Sequence, residues 1–247
     1  MHQIIKNIFI LILSFGLLSA FFILAVLWAF SNKLPDYKFL KSYKPSVSSK
    51  VYSGEGELVN DFSTEKRIFI PYKSIPTKVI NAFLSAEDKS FYSHVGVDPV
   101  ALARAVATNI AAIGSGRRLI GASTITQQVA KNFLLTNEVS IDRKIKEAIL
   151  AIRMERAFSK DQILALYLNE IYLGSGSYGV AAAALNYFDK ALGELDLHEV
   201  AYLAALPKAP SNYHPVRRTK AAIARRNWVL LQMTRNGYIT QDEAAAA

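Results

Sequence analysis

Glu87 and Asp88 close an apolar helical pattern and open the run E-D-K-S-F-Y-S-H-V-G, in which Phe91, Tyr92 and His94 follow closely. A carboxylate beside aromatic walls is harder to ionise and can act as a general base. The same pair also reads as a solvated helix end. A second run, G-A-S-T-I-T-Q-Q-V-A-K-N, covers Gly121 to Asn132. Thr124 and Gln127 fit a capping box, which is a purely structural role. Yet Ser123, Thr124, Thr126, Gln127, Gln128, Lys131 and Asn132 offer more polar groups than a cap uses. A helix start with free N–H groups, hydroxyls and a lysine one turn on suits phosphate or sugar hydroxyls. The third run is R-K-I-K-E, Arg143 to Glu147. Arg143 and Lys144 each lie one turn from Glu147, so the three share a helix face. The plain reading of that run is a surface ion-pair ladder.

Taken together, the runs suit the transfer of a sugar from a diphosphate to a hydroxyl. Such a reaction needs a base for the attacking hydroxyl, cations for the departing diphosphate, and a positioned site from which water is kept. Glu87 could be the base. Lys131, Arg143 and Lys144 could hold the diphosphate. Glu147 could orient them or bind a divalent cation, and oxygen donors of this kind favour Mg²⁺.

Elements must position these residues. From Pro76 onward the apolar residues recur at helical spacing: Val79, Ile80, Phe83 and Leu84; Ile141, Ile145, Ile149 and Ile152; Ile163, Leu164, Tyr167 and Leu168. Gly114-Ser115-Gly116-Arg117-Arg118 interrupts them as a flexible basic loop. Residues 47–72 read as strand, turn, strand, with Val51-Tyr52, Leu58-Val59 and Ile68-Phe69-Ile70 as the extended pieces. Residues 31–46 read as a juxtamembrane linker. Ile8 to Phe30 carries no charge, and these 23 residues would span about 34 Å as a helix, enough for a bilayer core of about 30 Å. The stretch is too long for a signal peptide and reads as an uncleaved anchor after a short tail, residues 1–7. Lys6 alone precedes it, whereas Lys33, Lys38, Lys41 and Lys44 follow; the positive-inside rule would put the main domain in the cytoplasm, in conflict with the outer-face placement implied by the family resemblance given below.

Composition narrows the classes. The 247 residues are 51% hydrophobic and carry a formal net charge of +9. Absent cysteine excludes disulfides, thiolate zinc sites and cysteine nucleophiles. The four histidines show no metal-helix spacing. The positive charge is dispersed, which argues against nucleic acid as partner.

These segments resemble the signature motifs of the peptidoglycan glycosyltransferases, found in class A penicillin-binding proteins and in monofunctional cell-wall transglycosylases. Five blocks match in order: those at Glu87, Gly121 and Arg143, then K-D-Q-I-L-A-L-Y-L-N-E-I-Y-L-G at Lys160, and R-R-N-W-V-L ending at Leu230. The resemblance implies a mainly α, lysozyme-like two-lobed glycosyltransferase domain over residues 73–240, with an N-terminal transmembrane helix and a short β element. It implies a single-pass protein of the bacterial cytoplasmic membrane, with its catalytic domain on the outer face. Its partners would be lipid II, the nascent glycan strand, the bilayer and other cell-wall synthesis proteins. By motif position Glu87 would be the base and Glu147 the second acidic residue. Lys131, Arg143 and Lys144 would face the diphosphate; Ser123 and Gln128 would line the donor cleft, and Asp88, His94, Thr124, Gln127 and Asn132 would contribute to substrate binding. Tyr167, Asn169 and Arg225 would be mainly architectural. Asp189 and His214 depart from the family pattern, which has Gly and Asn there, and put local turn geometry in question. Residues 241–247 would begin a linker to a transpeptidase domain that this sequence does not contain. Ser63-Thr64-Glu65-Lys66 fits S-x-x-K, but it precedes the other blocks and no K-T-G occurs, so it is not read as an acylation site.

Two other functions remain open on the residues alone. A peptidoglycan-cleaving enzyme would also use carboxylates, but has no diphosphate to neutralise. A non-catalytic membrane scaffold would not need Glu87. Phe133-Leu134-Leu135 and the 114–120 region mix apolar and basic side chains and suggest a surface that enters the outer leaflet.

Overall fold

The computed structural model describes residues 2–31, 34–43, 50–55, 58–61, 66–114, 120–136, 138 and 140–247. Ser63 and residues 115–119, which carry part of the S-x-x-K match and most of the basic loop, lie outside that set, as does part of the 31–46 linker. The chain opens with α1 (His2–Ser31). Among the described residues no helix is long and apolar enough to cross a membrane; several side chains of α1 are outside them.

The β element is split. β1 (Lys50–Tyr52) pairs antiparallel with β2 (Leu58–Asp61), with an irregularity between Val51 and Tyr52. β3 (Lys66–Arg67) does not join them. It runs parallel to β4 (Ser177–Tyr178), far along the chain. Ile68–Ile70, expected as a strand, is not one. The Asn169 side-chain amide takes the place of a neighbouring strand: its Oδ1 accepts from the Ile70 N–H at 2.8 Å and its Nδ2 donates to the Ile70 carbonyl at 2.9 Å. One side chain thereby satisfies both backbone groups.

The helical body comprises α2 (Thr77–Glu87), α3 (Pro99–Ala111), α4 (Ile125–Leu134), α5 (Ile141–Ala157), α6 (Lys160–Glu170), α7 (Val180–Phe188), α8 (Leu197–Ala205), α9 (Thr219–Arg235) and α10 (Gln241–Ala246). α8 is the central element, buried from Glu199 to Ala205 and packed on α2 and α9. Phe83, Phe91, Leu150, Met154, Ile163, Leu164, Tyr167, Leu168 and Leu203 fill the core around it. The isoleucine row expected to bury α5 does not do so. Of its four members only Ile149 is buried and Ile141 is exposed; the buried face runs through Glu147, Ile149, Leu150, Ala151 and Met154. Burying that face brings an acidic residue inward, which apolar periodicity does not register.

Two stretches expected as linkers are packed. Leu40 is buried, Tyr43 donates its hydroxyl to Glu170 Oε1 at 2.6 Å, and Leu34 and Tyr37 lie against the core. Residues 241–246 form α10, closed by a Thr240–Glu243 capping box, with Ala244 against the core. Phe133, Leu134 and Leu135 also pack inward, Phe133 edge-on to Tyr43. Apart from α1, an exposed apolar surface lies on α3: Val100, Leu102, Val106 and Ile110 face outward and Ala105 is its one buried residue. Exposed Ile113 and Ile120 extend that surface, and the Asn109 amide clasps the Ile120 backbone at 2.8 and 3.0 Å.

Candidate active site

Glu87 is the last residue of α2, because Asp88 turns the chain out of the helix at φ −157° and ψ 78°. Asp88 is buried, and its carboxylate accepts from His94 Nε2 at 2.9 and 3.1 Å and from the Ile125 N–H at 3.0 Å. The Gly96 N–H donates to His94 Nδ1 at 3.1 Å, which leaves the neutral ring's proton on Nε2, facing Asp88. Asp88 and His94, expected as substrate contacts, thus spend their polar atoms on each other and on the start of α4. These bonds brace the start of α4, and Asp88 also lines a cavity beside Glu87. Gly96 is fixed as glycine by its φ of +99° and by contact: a Cβ would stand 2.6 Å from the Ala151 carbonyl oxygen.

The capping box at α4 forms as its sequence suggests. The Thr124 hydroxyl accepts from the Gln127 N–H, and Gln127 Oε1 accepts from the Thr124 N–H. Thr124 also donates to the Gly96 carbonyl at 2.6 Å. Both residues are buried and capping occupies these groups, although Thr124 also lines the cavity beside Glu87. One turn on, Gln128 Nε2 donates to Glu87 Oε2 at 2.9 Å. Lys131, three residues beyond Gln128, shares its face of α4. Asn132 is exposed.

The carboxyl of Glu87 is closely surrounded by protein, although the residue keeps some exposure. Burial raises its pKa above the ordinary carboxylate value, and the Asp88 charge adds to the rise. The Gln128 hydrogen bond and the charges of Arg225 and Lys208 oppose it. Glu87 borders a cavity of about 230 Å³, together with Lys89, Ser90, Arg104 and Ser123. Ser123 joins this cavity to the third run: Lys144 Nζ donates to Ser123 Oγ and to Glu147 Oε2, both at 2.6 Å. Arg143 Nη1 lies 3.1 Å from Glu147 Oε1, and its buried Nε has no partner. Glu147 is only 2% exposed, so this cluster is no surface ladder. Both oxygens of Glu147 are taken by cations, and that donor set does not fit a divalent metal. The group of Asp196, His198 and Glu199 lies apart from this site, and Lys190 already holds its carboxylates.

A family model described as Transglycosylase matches residues 55–234. The chain belongs to the transglycosylase family. Penicillin-binding protein 1A of Rickettsia felis is 51% identical over 222 residues, covering 90% of this chain and 28% of that protein. The proteins of that name from Aquifex aeolicus and Escherichia coli are 49% and 47% identical, covering 92% and 85% of this chain and 31% and 24% of theirs. The chain thus spans about 28% of the Rickettsia relative's length.

Against this transglycosylase frame, the later blocks divide. Asn169 is architectural, as expected from its hold on Ile70. Arg225 does more: it stacks on Trp228 at 3.8 Å, its Nε is buried without a partner, and its charge acts on Glu87. Burial lowers the Arg225 pKa, and Glu87 offsets that. The i, i+3 spacing of Arg225 and Trp228 was a legible sign of stacking; nothing local pointed Lys208 toward Glu87. Tyr167 is fully buried, with an unpaired hydroxyl whose pKa is raised by burial and by the Glu87 and Asp88 charges.

Proposed function

We propose that this chain polymerises lipid II, adding an incoming unit to a growing glycan strand in cell-wall synthesis. The 4-hydroxyl oxygen of the acceptor attacks the anomeric carbon of the strand. A C–O bond forms there, the bond to the diphosphate oxygen breaks with inversion, and its electron pair leaves with undecaprenyl diphosphate. Glu87 takes the hydroxyl proton. The observation that carries this reading is the shared cavity: a proton-seeking buried carboxylate on one side, and on the other Ser123, tied to the Arg143–Lys144–Glu147 cluster. Arg143 and Lys144, with Lys131, supply positive charge for the leaving diphosphate. A divalent cation enters this reading only as a companion of the substrate's diphosphate, since Glu147 is committed.

The uncharged stretch from Ile8 to Phe30 supports a membrane anchor, and the apolar face of α3 with Ile113 and Ile120 supports contact with the lipid surface beside the cavity. The acceptor and donor would then keep their tails in the bilayer, with the domain outside the cytoplasm. Deleting residues 1–30 weakens vesicle binding without abolishing it; complete release counts against the α3 contact.

The test is polymerisation of lipid II by the chain in detergent, with products separated on gels, beside Glu87→Gln. Muramidase-sensitive strands from the wild type alone support the reaction and the base. Strands from both move the base elsewhere. Strands from neither reject this reading for the isolated chain.

A further inference from the structure

A closed ring of hydrogen bonds surrounds the joint between α2, α4 and α6. Asp88 Oδ2 meets His94 Nε2 at 2.9 Å. The His94 carbonyl accepts from Lys160 Nζ at 2.7 Å. Lys160 Nζ also donates to Glu155 Oε1 at 2.7 Å, and the Thr126 hydroxyl donates to the same oxygen at 2.6 Å. Thr126 follows Ile125, whose N–H returns to Asp88 Oδ2 at 3.0 Å. Thr126 is fully buried, and the side chains of Glu155 and Lys160 are 7% and 21% exposed. The Lys160 ammonium also lies 4.4 Å from the centroid of the Phe91 ring. A buried ion pair adds little net stability compared with apolar packing of the same shape. What this one adds is geometry: it ties the 88–96 loop, α4 and the α5–α6 turn to one another.

The ring is flanked by the reacting group. Asp88 is the residue after Glu87, and Thr126 lies two residues before Gln128, whose amide meets Glu87. We propose that Lys160, Glu155 and Thr126 are positioning residues that hold Glu87 and Gln128 in register. None of the three enters the transfer chemistry above. The kinetic part of this proposal rests on that transfer reading; the structural part does not.

The groups acting on Glu87 are Gln128 of α4, Arg225 of α9, Lys208 after α8, Asp88 beside it, and Tyr167 of α6. Of these the ring holds Gln128 and Asp88, and the Gln128 bond, which favours the ionised carboxylate, outweighs the opposing Asp88 charge. Loosening the ring therefore leaves Glu87 harder to ionise.

The experiment compares the full chain in detergent with Lys160→Met, Thr126→Val and Lys160→Arg. The first readout is the side-chain amide resonance of Gln128, assigned by its loss in Gln128→Ala. It shifts toward the free-glutamine position in Lys160→Met and Thr126→Val, and returns in Lys160→Arg. The second is lipid II polymerisation against pH. In Lys160→Met kcat drops about 10- to 100-fold, the size of loss a small misplacement causes, with KM unchanged, and the acid limb of kcat/KM moves to higher pH. A melting curve shows that each variant is folded. A Gln128 amide unmoved in folded Lys160→Met and Thr126→Val overturns the proposal, as does a kcat that falls only with the folded fraction. If the wild type makes no glycan, the transfer reading fails, and the amide shift still decides the ring.

Discussion

Asp88 offers a direct measure of bracing against ligand contact. Replacing it by leucine leaves two buried donors, His94 Nε2–H and the Ile125 N–H, with nothing to accept from them. Each orphaned donor costs about 1–3 kcal/mol, so Asp88→Leu destabilises by about 2–6 kcal/mol. That is a large share of a typical stability of about 5–15 kcal/mol. Asp88→Asn keeps one oxygen that can take over the Oδ2 position, where both donors already converge, and costs about 1 kcal/mol. For a domain of this size, where 1 kcal/mol moves the melting point by about 2–4 °C, the two variants separate by at least about 2 °C. Thermal unfolding in detergent, followed by circular dichroism at one scan rate, reads this without any substrate. Melting of Asp88→Leu within a degree or two of the wild type would refute the bracing role and return Asp88 to the substrate side. The tautomer argument adds a sharper check: the Nε2 proton of His94 is visible by NMR in the wild type and exchanges rapidly in Asp88→Leu.

Glu87→Gln lowers kcat about 10²- to 10⁴-fold in the polymerisation assay, the range a positioned base contributes. Because burial raises the Glu87 pKa, wild-type kcat/KM falls at acid pH from a point above the ordinary carboxylate range, and a limb at the ordinary value would contradict this. The linked stability has a definite sign. The folded state binds this proton more tightly than the unfolded one, so Glu87's contribution is full below its unfolded pKa and is lost as pH rises through the raised folded value. Glu87→Gln removes that loss, which urea titrations at acid and neutral pH detect. Gly96→Ala costs about 2 kcal/mol or more, from positive φ and overpacking on Ala151, and lowers the urea midpoint. Asp189→Gly, at a left-handed position with φ of 53°, raises stability by about 1 kcal/mol in the same titration.

Local signals were read well and distant ones were not. The Thr124–Gln127 box and the Arg143–Glu147 face depend on residues one turn apart, and spacing alone finds them. Spacing could not show that Glu147 is buried, nor that Ser123 reaches Lys144 across 21 positions. The strand expected at Ile68–Ile70 failed because its partner is a side chain 99 positions away. Arg67 and Glu170 form an ion pair over a similar gap, and it helps bring β3 to the far end of α6. The two departures from the family pattern resolve locally. Asp189 accepts the left-handed backbone that glycine would favour, and His214 Nδ1 accepts from the Val216 and Arg217 N–H groups, an asparagine-like turn made with a ring nitrogen.

α3 buries a single alanine. Its Asp98 cap and the Asn109 clasp secure its two ends, and its length owes almost nothing to the core. In aqueous solution such a helix opens at little free-energy cost, so its amides exchange hydrogen long before those of α8. The wall of the cavity formed by Ala101, Arg104, Ala105 and Thr108 opens with it. α3 carries its exposed apolar residues and its cavity-lining residues at different positions of one helix, so the proposed lipid contact would make the lipid environment a thermodynamic partner of the site: binding at the apolar residues raises the cost of opening α3 and so keeps the cavity side it lines closed. Protection of α3 amides on adding vesicles would therefore report assembly of the site before any sugar is bound.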